Sequence, residues 1–150
     1  MLRAAEPTKD AITKVLVDAV RNGVFTTVGI VAFLTSASFE NDIVFAVGIA
    51  AAFALASLRS LQKLFHRQPQ VVFHFLGSFI GGIMPAVSFA FIATKVAVIV
   101  AAGFSMFLTF IANAAAMEKK TFKDGAKASL LVLLQVVLCY LVGKILLVII

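Results

Sequence analysis

The chain has 150 residues, of which 62% are hydrophobic and only 13% are charged. A soluble domain is about half apolar and a quarter charged, and a chain this short still exposes much of its surface. The composition therefore argues against a soluble domain and predicts an all-α, polytopic transmembrane helical bundle. The net charge of +6 comes from Lys and Arg in short clusters between apolar runs, which is typical of membrane orientation signals rather than of nucleic-acid binding.

The N-terminal region joins a charged segment to the first apolar run. Residues 8–22 carry apolar side chains at the spacing that makes one helical face apolar, which predicts an amphipathic helix on the membrane interface or under the bundle. The first span follows at about 24–37. It is short for a crossing of about 20 residues, so we expect it to borrow a turn or two from the preceding helix. Residues 35–37 also resemble a signal-peptide cleavage site, but the long charged lead-in favours a retained span.

Four more apolar runs predict further spans, at about 43–58, 71–92, 96–117 and 128–150. The third and fourth spans form one nearly continuous apolar stretch, which is too long for a single crossing of about 20 residues. This stretch fits a helical hairpin that turns near residues 93–95. The loops are short, so we expect residues 1–150 to form a single integral membrane domain.

The positions of the basic residues predict an orientation. With the N-terminus on the cytoplasmic side, eleven of the thirteen Lys and Arg residues fall on that side, whereas Glu40 and Asp42 fall outside. Cytoplasmic loops carry the excess of Lys and Arg, so the pattern predicts five spans with the N-terminus inside and the C-terminus outside. A four-span alternative, with one terminal segment on the membrane surface, stays open. A bacterial inner membrane is the expected location, and an organellar membrane is the alternative.

Small and polar residues line one helical face of the third span, whereas larger apolar residues cover the rest. The residues of this face are His74, Gly77, Ser78, Gly81, Gly82, Pro85 and Ser88. Small residues let helix backbones approach closely in lipid, and Gly77 and Gly81 form a G-x-x-x-G pair. The face therefore predicts a tight helix–helix contact, within the chain or between copies. The alternative is that it lines a polar cavity or a permeation path.

The fourth and fifth spans carry isolated polar side chains at Asn113, Gln135 and Lys144. In an antiparallel hairpin Asn113 lies at about the depth of His74, so we expect these two side chains to be close. We expect Lys144 to extend to the outer headgroups, the alternative being a buried cation that faces a pore or an acid of another subunit. A single cysteine, Cys139, excludes an internal disulfide, and the sequence predicts no metal site and no cofactor.

Three classes of function stay open. The favoured one is a non-catalytic subunit or assembly factor of a larger membrane complex, whose partners are the lipid bilayer and other membrane protein chains or copies of itself. The second is a small homo-oligomeric channel or transporter with the His74, Gly77 and Gly81 face along its pathway. The third is an enzyme of lipid or quinone chemistry, which the lack of clustered acids, His or Cys disfavours. We expect no enzymatic activity and no nucleic-acid partner.

Overall fold

A computed structural model describes residues 9–65, 70–115 and 122–149 and folds them into five α-helices. They are α1 (Lys9–Ser36), α2 (Asn41–Phe65), α3 (Val71–Phe91), α4 (Thr94–Ala115) and α5 (Phe122–Ile149). The shortest is α3 with 21 residues. At a rise of about 1.5 Å per residue it is about 30 Å long, which matches the hydrocarbon core of a bilayer. All five helices are long and apolar enough to cross a membrane, which confirms the prediction of an all-α chain with five apolar spans.

The N-terminal region differs from the prediction. The expected amphipathic helix at 8–22 and the expected span at 24–37 are one continuous helix, Lys9–Ser36, of 28 residues. No proline separates the two segments, and a lone glycine such as Gly23 lowers helix stability by only about 1 kcal/mol. At about 42 Å this helix is longer than the hydrocarbon core of a bilayer is thick. The predicted start at Thr8 lies outside the described residues.

Other helices also continue past the predicted spans. α2 runs on through Arg59 and Lys63 to Phe65, and α5 begins at Phe122 rather than at Ala128. Lys and Arg are good helix formers, and a helix satisfies its own backbone hydrogen bonds in water as well as in lipid. Charged residues therefore mark the edge of the apolar segment but not the end of the helix. The predicted span ends at 116–117 and at 150 lie outside the described residues.

Two short turns join α1 to α2 and α3 to α4. Ser38 adopts a left-handed conformation with φ 64°, and the Phe39 N–H donates to the Leu34 oxygen at 3.2 Å, which closes α1 with a Schellman motif. In the second turn Ile92 is extended, and the Ala93 oxygen accepts the first hydrogen bonds of α4. The Asn41 Nδ2 donates to the Ile92 oxygen at 2.9 Å. This bond fixes the two turns to each other at one end of the bundle.

Residue contacts give the direction of each helix. α1 and α3 are parallel and α2 is antiparallel to both, as shown by the pairs Ala19–Gly77, Thr27–Gly82, Ala52–Gly82 and Gly48–Ala86. α4 reverses at the turn after α3, and contacts of Gly29 with Gln135 and of Ser36 with Gly143 make α5 parallel to α1. One end of the bundle therefore holds the starts of α1, α3 and α5 and the ends of α2 and α4.

We call this end the basic end. Among the described residues it carries Lys9, Lys14, Arg21, Arg59, Lys63, Lys123 and Lys127. The opposite end carries two basic residues, Lys95 and Lys144, together with the acidic residues Glu40 and Asp42. The structure thus gathers at one end of the bundle the basic residues that are separated along the sequence.

α1 is the central helix, since it contacts each of the other four. Two buried apolar clusters surround it. The first joins α1 to α2, α3 and α4 and consists of Val31, Val44, Ala86, Phe89, Ala97 and Ala101. The second joins α1 to α4 and α5 and consists of Val28, Ala32, Ala102, Val132 and Val136. Most of these side chains are small, so the helices approach one another closely.

Candidate functional site

The small face of α3 is buried and lies against α1. His74, Gly77, Ser78, Gly81, Gly82 and Pro85 are buried, and Ser88 is half-buried. A β-carbon at Gly81 would collide with the main-chain oxygen of Val20 and would lie 2.9 Å from the Val20 Cα. A β-carbon at Gly77 would lie 2.9 Å from the main-chain oxygen of Leu16. Only glycine therefore fits these two positions at the observed spacing of the helices.

Gly23 on α1 completes this contact from the other side. A β-carbon there would collide with the main-chain oxygen of Ser78 and would lie 2.8 Å from the Gly82 nitrogen. The sequence pattern does not single out Gly23 as a packing residue, because Gly23 lies at the junction of the two predicted elements. A signal was present, since Ala19, Gly23 and Thr27 repeat small residues at intervals of four along α1.

The helix α2 packs against α3 through a second stripe that sequence analysis missed. Its buried residues recur every four positions and are Val44, Gly48, Ala52, Ala56 and Ser60. A β-carbon at Gly48 would lie 2.8 Å from the Ala86 Cβ, and one at Gly82 would lie 2.7 Å from the Ala52 Cβ. We call the joint packing of α1, α2 and α3 through these small residues the three-helix seam. It occupies the face of α3 that the alternative hypothesis assigns to a pathway.

His74 lies in the seam near the basic end and is 7% exposed. It interacts electrostatically with Lys63 and Arg59 of α2 and with Asp18 of α1. Its Nδ1 is buried and makes no hydrogen bond to any residue that the structure describes. Asn113 donates from Nδ2 to the main-chain oxygen of Thr109, one turn earlier in its own helix, at 2.7 Å. The expected proximity of His74 and Asn113 therefore stays a prediction.

Arg59 extends from α2 toward α1. Its Nη2 donates to the Thr26 Oγ1 at 3.4 Å, and the Thr26 hydroxyl in turn donates to the Asn22 oxygen at 2.9 Å. The Arg59 Nη1 and the hydroxyls of Ser60 and Ser78 are buried, and within the described ranges they have no hydrogen-bond partner. Buried groups of this kind are ordinarily satisfied by ordered water. The basic end of the seam is therefore rich in hydrogen-bond donors.

A groove of about 580 Å³ runs between α1 and α5 on the side of the bundle. It is lined by Thr26, Gly29, Ile30, Phe33, Leu34, Gln135, Leu138, Cys139 and Val142. We call it the α1–α5 groove. The Gln135 Oε1 is buried, and the described part of the chain offers it no hydrogen-bond donor. The groove is thus lined mainly by apolar side chains, with the Thr26 hydroxyl and the Gln135 amide as its polar groups.

The remaining predicted residue, Lys144, is exposed near the end of α5, and Tyr140 one turn before it is half-buried. Next to Lys144, Gly143 is buried, and a β-carbon there would collide with the Ser36 hydroxyl. The structure therefore brings Gln135 and Gly143 onto the side of α5 that faces α1 and leaves Lys144 outside this contact.

The polar residues singled out in the sequence do not form one site. His74 belongs to the three-helix seam, Gln135 to the α1–α5 groove, and Lys144 to the opposite end of the bundle. Within the described ranges, no three His, Cys, Asp or Glu side chains come together as ligands for a metal ion. Comparison of the chain with protein-family models, with curated proteins and with solved structures finds no match to any of them.

Proposed function

We propose that the chain is a non-catalytic subunit or assembly factor of a larger membrane complex. The observation that carries this proposal is that the small face of α3 packs against two other helices of the same chain, α1 and α2. Because α1 and α2 fill that face, its glycines hold three helices together and leave no space along it for a solute. The seam therefore favours a structural role over a pathway lined by His74, Gly77 and Gly81.

The α1–α5 groove supports a partner in the membrane. In lipid an unpaired amide is costly, and polar side chains in apolar surroundings commonly bond across helices. The Gln135 Oε1 is an acceptor without a donor among the described residues, and the adjoining wall is apolar. A helix of another protein chain, or of a second copy, would supply a donor there and cover the apolar wall.

The charge distribution supports an orientation with the N-terminus in the cytoplasm and the C-terminus outside. The described basic residues concentrate at the end of the bundle where α1 begins, and α5 ends at the opposite end. Lys and Arg are enriched on the cytoplasmic side of membrane proteins. A bacterial inner membrane is the proposed location, since short loops with a clear basic bias suit it.

Native purification tests the proposed role. The chain is extracted from its own membrane in a mild detergent, and mass spectrometry identifies the proteins that co-purify. A different membrane protein at a fixed stoichiometry is the expected result. Recovery of a lone homo-oligomer contradicts the proposal, and ion conductance of that oligomer in liposomes would support the channel alternative, especially if a His74→Ala substitution changes the conductance.

Cys139 tests whether a partner covers the α1–α5 groove, because this single cysteine lies on the groove wall. A membrane-permeant maleimide is expected to label Cys139 more slowly in native membranes than in the purified chain. The matched control is Leu134→Cys in a Cys139→Ala background, since Leu134 is exposed and does not line the groove. Equal protection at both positions, or at neither, argues against a partner seated in the groove.

A further inference from the structure

We propose that a cleft at the basic end, between α1, α4 and α5, binds an anionic phospholipid through its phosphate group and the first part of an acyl chain. The cleft has a volume of about 290 Å³ and is lined by Arg21, Asn22, Phe25, Thr109, Ala128 and Leu131. We call it the basic cleft. The inference depends on membrane insertion but not on the proposed complex or orientation, because the lipid can be supplied in both leaflets.

Charge favours an anion at this position. Among the described residues, the basic end carries seven Lys or Arg and only three acids, Asp10, Asp18 and Asp124. The Arg21 guanidinium lies at the cleft and pairs with Asp18 at 3.7 Å, with both side chains more than 40% exposed. An exposed pair of this length is weak. Arg21 therefore keeps donors available for the two-pronged contact that guanidinium groups make with phosphate.

The walls of the cleft are polar near the basic end and apolar further in, which matches a phospholipid with its headgroup outside and its acyl chains inside. On α1, Phe25 lies one turn beyond Arg21, about 6 Å deeper into the membrane. On the parallel helix α5, Leu131 lies about 4.5 Å beyond Ala128 in the same direction. A phosphate at Arg21 and Asn22 thus places the start of an acyl chain between Phe25 and Leu131, both of which line the cleft.

Thr109 gives an independent indication of a ligand. It is 2% exposed and lines the cleft, and its Oγ1 has no hydrogen-bond partner in the part of the chain that the structure describes. The hydroxyl can donate to an ester or phosphate oxygen, which are the acceptors of a phospholipid at the depth where headgroup and chain meet.

The test measures lipid retention by native mass spectrometry of the full chain from nanodiscs of phosphatidylcholine with a titrated fraction of phosphatidylglycerol. Arg21→Gln is expected to lower the apparent affinity for phosphatidylglycerol about tenfold, since it removes a charge-assisted hydrogen bond. Lys9→Gln is the matched control, because Lys9 is exposed at the same end and outside the cleft. It is expected to change the affinity less than about twofold, because exposed charges beyond about 8 Å are screened. Equal losses of phosphatidylglycerol affinity in both variants overturn the proposal. They would show that the lipid is attracted by the charge of the basic end as a whole and not bound in the cleft.

Thr109 and a phosphate control complete the experiment. Thr109→Val is expected to weaken retention several-fold, and Thr109→Ser is expected to restore it, with circular dichroism confirming that each variant is folded. Unchanged retention in a folded Thr109→Val variant contradicts the proposed depth of the headgroup. In nanodiscs of phosphatidylcholine alone, ³¹P NMR is expected to show no binding of inorganic phosphate. Binding of free phosphate there would replace the lipid assignment with a soluble anion and so overturn it.

Discussion

The helices α1 and α5 have the same length of 28 residues and run in the same direction, but they occupy opposite environments. In the most apolar 18-residue window of α1, 44% of the residues are buried and the mean hydropathy is 1.5; in that of α5 the values are 17% and 2.6. The less apolar helix is therefore the central one. Lipid is as apolar as a protein interior, so hydropathy does not decide which helix is buried.

The contact of α1 with α3 also differs from its contact with α5. α1 meets α3 main chain to main chain, as the close approach of Gly23 to Ser78 and of Gly81 to Val20 shows. At Gly29, by contrast, α1 meets α5 through the side chains of Gln135 and Cys139, although nearer the ends of the two helices a β-carbon at Gly143 would lie 2.7 Å from the Phe33 main-chain oxygen. A backbone cannot move aside for an added atom, whereas a side chain can. We therefore expect α1 to tolerate less change at Gly23, where it meets α3, than at Gly29, where it meets α5.

A Gly81→Leu substitution is expected to have the largest effect. Its side chain would enter the space of the Val20 main chain, so we expect a loss in the free energy of unfolding of about 3 kcal/mol or more. Thermal unfolding in detergent, followed by circular dichroism, measures it. The matched control is Gly103→Leu on α4, where a β-carbon meets no atom within 4 Å. Similar melting temperatures for the two variants would refute the close packing of α1 and α3.

Two alanine substitutions on α1 compare its neighbours directly. Gly23→Ala places a methyl group against the main chain of Ser78 and is expected to destabilise the fold by about 2 kcal/mol. Gly29→Ala places one 2.7 Å from the Gln135 Nε2, which can swing into the α1–α5 groove. The expected loss in the free energy of unfolding is below about 0.5 kcal/mol. Ala is a better helix former than Gly, and this gain offsets the cost of moving the Gln135 side chain. The comparison fails if Gly29→Ala proves as destabilising as Gly23→Ala.

Within α5 two valines lie on opposite faces, one toward the bundle and one exposed on its outside. Val132 is fully buried in the cluster with α1 and α4, whereas Val137 is 45% exposed. Val132→Ala leaves a cavity and is expected to cost about 1 kcal/mol, and Val137→Ala is expected to cost much less, since lipid fills the space. Chemical or thermal unfolding of both variants measures the difference. A larger loss at Val137 in the purified chain would show that this face packs against protein.

A small gain in stability is expected from a substitution at the end of α1. Ser38 holds φ 64° in the turn to α2, a conformation that glycine adopts without strain. Ser38→Gly relieves the strain at this φ but also gives the unfolded chain more conformational entropy. The net effect is expected to raise the free energy of unfolding by about 0.5 kcal/mol. Ala37→Gly is the control, because Ala37 has no positive φ, and we expect it to be neutral or destabilising. A loss of stability with Ser38→Gly would argue against this turn geometry.

Much of the fold follows from composition and from the position of charges. Five apolar runs separated by charged or polar segments predict five helices, and the hairpin turn falls at Ile92 and Ala93, beside the predicted position at 93–95. The continuity of α1 did not follow. The sequence around Gly23 contains charges and a weak helix former, which resemble a boundary, and only the contact with Ser78 and Gly82 explains why the glycine lies inside a helix.

The site was predictable in part. The small face of α3 was identified because seven small or polar residues shared one helical face, but its partner was not identifiable from periodicity alone. Periodicity shows which side of a helix is small, and it does not show which neighbour uses that side. The stripe on α2 and the repeat around Gly23 were readable as small residues at intervals of four, yet similar spacing also occurs on surfaces that face lipid.

The sequence by itself determined that the chain forms apolar helices of membrane length and that its basic residues lie between alternate spans, because both properties follow from the order of residue types. The tertiary structure decided that α1 is central, that α5 is peripheral, and that Arg21, Thr109 and Leu131 line one cleft. In a bilayer the apolar effect does not sort helices into inside and outside. Close packing and the pairing of polar groups do, and both depend on residues far apart in the chain.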